Sequence, residues 1–146
     1  MILKIEQDIS LIDFEIIVKY PLMNKTIEKI ISYIKATDTQ IKCRSKETIK
    51  RINVSDIYYV ESKDKKTEIF CEDESYETDF RLYQLYEKLS SLGFVQISKY
   101  CVLNMNKVDK FKPLLNSRME AILTNEKHLY INRNYISDIK KRFQND

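Results

Sequence analysis

The chain has 146 residues, of which 43% are hydrophobic and 32% are charged, and its formal net charge is +3. This length predicts one core with at most a small appendage, and the composition is typical of a folded soluble protein rather than a disordered one. No apolar run approaches the roughly 20 residues of a membrane span, and charged residues interrupt positions 1–21, where a signal peptide needs a continuous apolar segment. We therefore expect a cytoplasmic protein without membrane insertion.

Cysteine and glycine usage exclude further classes of protein. The three cysteines, Cys43, Cys71 and Cys101, form no CxxC pair, and their odd number argues against a disulfide framework. Gly93 is the only glycine, whereas phosphate-cradling loops and dinucleotide fingerprints need several glycines at fixed offsets. The sequence therefore predicts no nucleotide binding by those routes and no cofactor.

Residues 1–39 are predicted to form a small ββα segment. Ile2–Gln7 and Asp13–Tyr20 have the composition of short strands. After Asn24, which is suited to an N-cap, a helix is predicted from about Lys25 to Lys35. Four isoleucines at i, i+3, i+4 and i+7 should be buried on one face of it: Ile27, Ile30, Ile31 and Ile34. This face is a candidate surface for dimerisation or for an unknown signalling partner, and packing onto the chain's own domain is the alternative.

From Gln40 onward, short segments separated by turn signals predict a mostly β (α+β) domain of antiparallel strands that extends to residue 146. Strands are predicted near Gln40–Arg44, Thr48–Val54, Ile57–Ser62, Thr67–Glu72, Ser75–Glu77, Val95–Ser98, Val108–Leu114 and Arg118–Leu123. Asn116 and Ser117 are suited to a tight turn between the last two.

Two helices are predicted to interrupt these strands. The first follows Thr78 and Asp79 as capping residues, and Gly93 is placed at its C-terminus. Its apolar stripe is Leu82, Leu85, Leu89 and Leu92. The second runs from about Arg133 to Gln144, with Ile136, Ile139 and Phe143 on one side.

Positive charge is unevenly distributed along the chain. Residues 40–146 carry 20 Lys and Arg against 16 acidic residues, whereas residues 1–39 carry five Lys against six. Three clusters coincide with predicted turns or a helix end: Lys63, Lys65 and Lys66; Lys107, Lys110 and Lys112; Lys140, Lys141 and Arg142. Such clusters can neutralise phosphates and release counterions. The alternative is an ordinary solvated surface of mixed charge.

Few residues offer catalytic or metal chemistry. The acidic run Glu72–Asp79 could hold a divalent cation, which is the only basis for a nuclease, but a hairpin turn followed by a helix cap explains it better. His128 is the lone histidine and has no cysteine near it in sequence, so a packed or surface histidine is favoured. We therefore expect no enzymatic activity and no metal site.

Two segments near the C-terminus each join a short apolar strand to residues suited to nucleic acid. The first is FVQISKYCVLN (Phe94–Asn104), and the second contains NRNY (Asn132–Tyr135). Arg and Asn match purine edges in the major groove, and Lys and Tyr can hold phosphates. With IYYVES (Ile57–Ser62), KDKKT (Lys63–Thr67) and YETDFRLYQLYEKL (Tyr76–Leu89), their order resembles the LytTR DNA-binding domain of bacterial transcription regulators. The likeness covers about residues 40–144.

This resemblance implies a compact β-rich body that presents loops, rather than a recognition helix, to the major grooves of double-stranded DNA, and that acts as a homodimer. The residues carried over as DNA contacts are Lys63, Lys65, Lys66, Thr67, Lys99, Tyr100, Asn132, Arg133 and Asn134. Arg133 matches the family's base-reading arginine, while Asn104 is expected to bond loop backbone. Ser98, Lys99 and Tyr100 replace a His-Arg-Ser-like triplet, and Asn132 replaces a serine. A protein-interaction module that kept this fold and lost specific DNA binding is the alternative.

The family's members often carry a phosphoacceptor receiver domain ahead of this module. Residues 1–39 are too few for such a domain. The resemblance therefore predicts a stand-alone, response-regulator-like form that lacks a receiver, and it leaves the input signal open.

Overall fold

The computed structural model of the protein describes residues 1–144, without the side chains of Phe143 and Gln144, so the predicted role of Phe143 lies outside the described part. The described chain contains three α-helices: α1 (Lys25–Thr37), α2 (Leu82–Leu89) and α3 (Arg133–Gln144). Its ten strands are β1 (Gln40–Ser45), β2 (Thr48–Asn53), β3 (Tyr59–Lys63), β4 (Lys66–Phe70), β5 (Ser75–Thr78), β6 (Phe94–Ser98), β7 (Cys101–Asn104), β8 (Val108–Pro113), β9 (Met119–Leu123) and β10 (His128–Ile131). None of these helices is both long enough and apolar enough to cross a lipid bilayer.

The strands form two antiparallel sheets. Seven strands follow the order β2-β1-β5-β4-β3-β7-β6, and three follow the order β10-β9-β8. Every pairing between neighbouring strands is antiparallel. The predicted mostly β domain with two helices after Gln40 is confirmed, and the FVQISKYCVLN segment is a hairpin of β6 and β7.

Two hydrophobic clusters lie on opposite faces of the seven-stranded sheet. On one face the leucines of α2 pack with Val60 of β3 and Val102 of β7. On the other face Leu103 of β7 packs with the three-stranded sheet and with Ile136 and Ile139 of α3. Because successive side chains of a strand point to opposite faces, β7 contributes to both clusters. Helices α2 and α3 therefore cover opposite faces of the seven-stranded sheet.

Helix α2 begins at Leu82, three residues after Asp79, the second of the two predicted capping residues. The Arg81 backbone N–H donates to Gln84 Oε1 at 2.8 Å, and the helix starts at Leu82. Thr78 Oγ1 accepts from the Phe80 backbone N–H, and Asp79 is bound by Arg44 at 2.6 Å. The capping prediction for Thr78 and Asp79 is therefore wrong, because both side chains are used before the helix begins.

Gly93 ends the helical segment after α2 as predicted, with a φ of 92°. A β-carbon there would lie 3.1 Å from Asn106 Nδ2. Because an L-residue in the left-handed region costs about 1–2 kcal/mol, we expect Gly93→Ala to lower the free energy of unfolding by about that amount. Urea denaturation measures it, with Ser91→Ala in the adjacent turn as control, expected within about 0.5 kcal/mol of wild type. Equal stability of Gly93→Ala and wild type would contradict this assignment.

Helix α1 is capped as predicted, because Asn24 Oδ1 accepts from the Ile27 backbone N–H at 2.9 Å. The burial predicted for its isoleucines is not found: Ile30 is 38% exposed, and the other three are only half-buried. The helix contacts mainly two short turns, residues 54–56 and 90–92. These turns offer too little apolar surface to cover the whole stripe.

The strands predicted at Ile2–Gln7 and Asp13–Tyr20 are wrong for the single chain, because residues 1–24 contain no strand or helix. Their hydrogen bonds are local, such as Leu11 N–H to Asp8 O at 3.3 Å. A β-strand needs a neighbour to pair its backbone groups, and no strand within residues 1–144 pairs with these segments. The small ββα segment is therefore reduced to helix α1.

Candidate nucleic-acid interface

Three connections that are far apart in sequence meet at one end of the molecule. They are the β3–β4 turn, the β6–β7 turn and the junction between β10 and α3. The Ser62 N–H donates to Tyr100 O at 2.8 Å, which joins the first two, and the Asn132 N–H donates to Ile97 O at 2.9 Å, which joins the third to the end of β6. We name this surface the loop edge: Lys63–Lys66, Ser98–Tyr100 and Asn132–Asn134.

The β3–β4 turn is a two-residue hairpin loop. Lys63 pairs with Lys66 across it, and Asp64 and Lys65 have φ values of 53° and 65°. Two positive φ values are typical of a type I′ turn, whose twist matches the flanking strands. All three lysines are exposed. The turn therefore holds three ammonium groups on a rigid strand pair.

Thr67 does not belong to this exposed set. Its side chain is only 3% exposed, and it pairs with Thr78 of β5 in the sheet interior. Because side chains alternate along a strand, Thr67 shares the inner face with Ile69, whereas Lys66 points outward. The prediction of Thr67 as a direct DNA contact is corrected on this ground.

The β6–β7 turn presents Lys99 and Tyr100. Ser98 Oγ accepts from the Tyr100 N–H at 3.1 Å, which fixes the turn, and Cys101 begins the return strand as a buried residue. Lys99 Nζ lies 5.6 Å from the centre of the Tyr100 ring, which is 56% exposed. An ammonium group and a phenol hydroxyl therefore project from the same turn.

The β10–α3 junction presents the Asn-Arg-Asn segment. Ile131 is buried at the end of β10, and the Tyr135 N–H donates to Asn132 O at 3.0 Å as α3 begins. The side chains of Asn132, Arg133 and Asn134 are exposed. A helix N-terminus favours a nearby anion and disfavours a cation that lacks one. Arg133 therefore occupies a position where an anionic ligand would relieve an unfavourable charge.

The loop edge is electropositive. It carries five cationic side chains, Lys63, Lys65, Lys66, Lys99 and Arg133, against the single carboxylate of Asp64. Within residues 1–144, the ion pairs between side chains involve none of these five. The two turns are separated by two strand spacings, which is about 10 Å. This arrangement can place cations on both sides of a groove.

Comparison with known proteins identifies the fold and the family. The family model of the LytTr DNA-binding domain matches residues 47–144. The chain belongs to this family. The solved LytTr DNA-binding domain of a putative methyl-accepting/DNA response regulator from Bacillus cereus superposes with a TM-score of 0.67 at 19% identity, over 71% of this chain and 95% of that chain. The two share the LytTr fold.

Several relatives share part or most of the sequence. The sensory transduction protein LytT of Enterococcus faecalis is 24% identical over 102 residues, which are 70% of this chain and 42% of that protein. LytT of Bacillus cereus is 27% identical over 113 residues, 74% of this chain and 46% of that protein. The chain therefore spans less than half the length of these two LytT proteins. An uncharacterized HTH-type transcriptional regulator of Staphylococcus aureus is 28% identical over 125 residues, 84% of each chain.

The LytTr fold places Lys107 and Arg142, from the other two basic clusters, away from the loop edge. Lys107 lies over the ring of Tyr58 at 5.0 Å, beyond the end of β7 that is opposite Tyr100. Arg142, near the end of α3, donates to Phe94 O at 3.4 Å, at the start of β6. Lys107 and Arg142 therefore lie at the end of β6 and β7 that is opposite Ser98–Tyr100. Lys112 is different, because it lies beside Pro113, whose partner Met119 pairs with Ile131 at the end of β10 that leads to Asn132.

Two arginines that the sequence interpretation missed flank the loop edge of this LytTr domain. Arg81 Nη1 donates to Lys65 O at 3.4 Å, and both residues line a cavity of about 190 Å³ beside the turn. Arg118 precedes Met119, which pairs with Ile131 immediately before the Asn-Arg-Asn segment. Neither arginine belongs to a basic cluster in sequence. The only signal is a basic residue directly beside a predicted turn or helix start.

Outside the loop edge, the sequence offered three candidates for metal or catalytic chemistry: the acidic run, the histidine and the cysteines. Among the described residues, no group of three or more His, Cys, Asp or Glu could hold a metal ion. The exposed His128 pairs with the largely buried carboxylate of Glu120 on the small sheet. Burial raises the pKa of the Cys71 thiol to about 11 and that of Cys101 to about 12. These two thiols stay protonated at neutral pH, and a thiol is a poor nucleophile.

Asn104 has the structural role that was predicted for it. The side chain is 1% exposed, its Nδ2 donates to Ile57 O at 2.8 Å, and its Oδ1 accepts from the Asn106 N–H at 3.0 Å. It therefore ties the end of β7 to the segment before β3. Since β7 carries the turn with Lys99 and Tyr100 at its other end, Asn104 supports the loop edge indirectly.

Proposed function

We propose that the protein binds double-stranded DNA with sequence preference through the loop edge and thereby regulates transcription. The observation that carries this proposal is the convergence of three separate connections, joined by backbone hydrogen bonds, into one edge with five cations and one carboxylate. Membership of the LytTr DNA-binding domain family supports DNA as the ligand. The name of the Staphylococcus aureus relative, a transcriptional regulator, supports a regulatory role.

In this proposal, the lysines of the β3–β4 turn hold phosphates. Lys63 and Lys66 are opposite each other in the ladder, and like charges in that arrangement destabilise a hairpin. A phosphate between them would remove the repulsion. Because ammonium groups are point donors with little geometric preference, these contacts set affinity and position rather than sequence.

The β10–α3 junction is proposed to read bases. The guanidinium fork of Arg133 can donate two hydrogen bonds to guanine O6 and N7, and the amides of Asn132 and Asn134 can pair with adenine N6 and N7. All three side chains are exposed at a helix start whose position is fixed by the Asn132 N–H to Ile97 O bond. Lys99 and Tyr100 lie beside them and are proposed to contribute phosphate contacts.

Fluorescence anisotropy with a labelled mixed-sequence duplex, at two salt concentrations, tests the proposal. We expect binding that weakens steeply as salt increases, since each neutralised phosphate releases counterions. A selection of enriched sites from random duplexes should then yield a preferred sequence. Absence of binding at low salt would favour the protein-interaction module instead, and binding without any enriched sequence would contradict base reading.

Lys66→Ala should weaken binding to every duplex alike and reduce the slope of log K against log salt by about one unit, the contribution of one phosphate contact. The matched control is Lys127→Ala. Lys127 is equally an exposed lysine beside a turn, but it precedes β10 at the end opposite Asn132. Titrations of both variants over a salt series measure the two slopes. The same decrease in both would place the phosphate contact outside the loop edge.

A further inference from the structure

Residues 1–23 carry an apolar surface that the single chain does not cover. The exposed fractions of the large side chains include 76% for Phe14, 56% for Ile16, 72% for Ile17 and 44% for Tyr20. The segment has the composition of a β-strand but no ladder partner. Exposed apolar surface next to unpaired strand-forming backbone marks an interaction site.

The sequence FEIIVKY (Phe14–Tyr20) is complementary to itself when two copies run antiparallel about Ile17. In that register Phe14 faces Tyr20 of the second copy, and Ile16 faces Val18. Glu15 faces Lys19, and twofold symmetry creates this acid–base pair twice. Aromatic pairs, β-branched pairs and opposite charges are the cross-strand neighbours that stabilise an antiparallel ladder.

We propose that Phe14–Tyr20 of two copies of this chain pair as antiparallel strands and join the protein into a homodimer. Side chains alternate along a strand, so Phe14, Ile16, Val18 and Tyr20 of both copies lie on one face of the ribbon. Glu15, Ile17 and Lys19 lie on the other face, where the two acid–base pairs form. The occupant of this surface is therefore the same segment of a second copy.

Pairing between copies also explains why the strands predicted at Ile2–Gln7 and Asp13–Tyr20 are not formed in the single chain. The Leu11 N–H to Asp8 O bond forms a turn between the two apolar segments, but a lone two-stranded hairpin is marginally stable in water. A second copy adds strands beside it and satisfies the backbone groups along Phe14–Tyr20. Helix α1, which follows in the chain, leaves Ile30 and Tyr33 exposed at 38% and 52%. These side chains offer further apolar surface for the same assembly.

Sedimentation velocity of the full chain without DNA tests the register. Wild type should contain dimer at about 50 µM, a concentration that populates a pairing of micromolar affinity. In a dimer of Glu15→Lys, both acid–base pairs become lysine–lysine pairs. In a dimer of Lys19→Glu, both become glutamate–glutamate pairs. Each variant should weaken the dimer about tenfold or more. An equimolar mixture of the two variants should form a heterodimer with affinity near that of wild type, because every facing pair is again acid and base.

The mixing experiment separates this register from other modes of association. Both positions lie outside the hydrophobic clusters, so circular dichroism and thermal unfolding of the core should match wild type. A monomeric wild type at this concentration, single variants that dimerise as well as wild type, or a mixture that fails to restore the dimer would each overturn the proposal. DNA binding of the monomeric variants is a separate measurement, so failure here does not decide the proposed function.

Discussion

Replacing Asn104 by alanine is expected to lower the free energy of unfolding by about 2–4 kcal/mol, because a buried polar group left without a partner costs about 1–3 kcal/mol. The substitution leaves two such groups: Ile57 O loses its donor, and the Asn106 N–H loses its acceptor. Ile57 and Asn104 are buried and Asn106 is partly buried, so water has limited access to replace these bonds.

Denaturant unfolding followed by circular dichroism measures the effect, and Asn125→Ala is the matched control. Asn125 also bonds loop backbone, donating to Glu72 O and accepting from the Lys127 N–H at 3.2 Å each, but it lies in a partly exposed turn. We expect that control to cost less than about 1 kcal/mol, since water can replace both bonds. If the two variants lose equal stability, burial of Asn104 is not the source of the effect. The folded fraction of Asn104→Ala should keep the base preference of wild type.

Arg133→Ala is expected to cost about 1–3 kcal/mol on the preferred DNA site and to relax the preference at one base pair. The physical reason is the loss of a two-bond donor at the start of α3, where the helix N-terminus otherwise disfavours a cation. Site selection followed by anisotropy titrations of wild type and variant measures both the affinity and the preference.

Arg133→Lys distinguishes reading of a base from attraction to phosphate. The lysine keeps the positive charge and loses the planar fork, so it should retain the salt dependence of wild type while losing the preference. If lysine restores both affinity and preference, Arg133 is a phosphate contact. If Arg133→Ala binds the selected site as tightly as wild type, the residue has no part in recognition, and the interaction-module alternative gains support.

Local chemistry made several features predictable from the sequence. A single glycine after a leucine stripe predicted the left-handed end of the α2 segment, and Asn24 before an isoleucine stripe predicted the cap of α1. Asn116 and Ser117 form the expected turn, with φ values of 62° and 58°. Each of these features depends on neighbours in sequence. The grouping of three distant connections followed from the family resemblance, not from spacing.

The errors arose where a residue's role depends on a partner that is distant in sequence. Asp79 was expected to cap α2, but Arg44, which is 35 positions away, binds it first. Strands at residues 1–24 were read from composition, which reports the preference of a segment and not the presence of a neighbour. Thr67 could have been placed correctly, since it has the same alternation as the buried Ile69.

Each segment of the loop edge is bounded by a buried residue: Thr67 follows Lys66, Cys101 follows Tyr100, and Ile131 precedes Asn132. At three places, therefore, a buried core residue is the direct sequence neighbour of an exposed residue of the loop edge. Exposed substitutions away from caps and the core change stability by no more than about 0.5 kcal/mol. If the loop edge reads DNA as proposed, its exposed base-contacting side chains can be exchanged one at a time while the buried residues beside them keep the fold. The binding preference proposed for this protein is in this sense independent of its ability to fold.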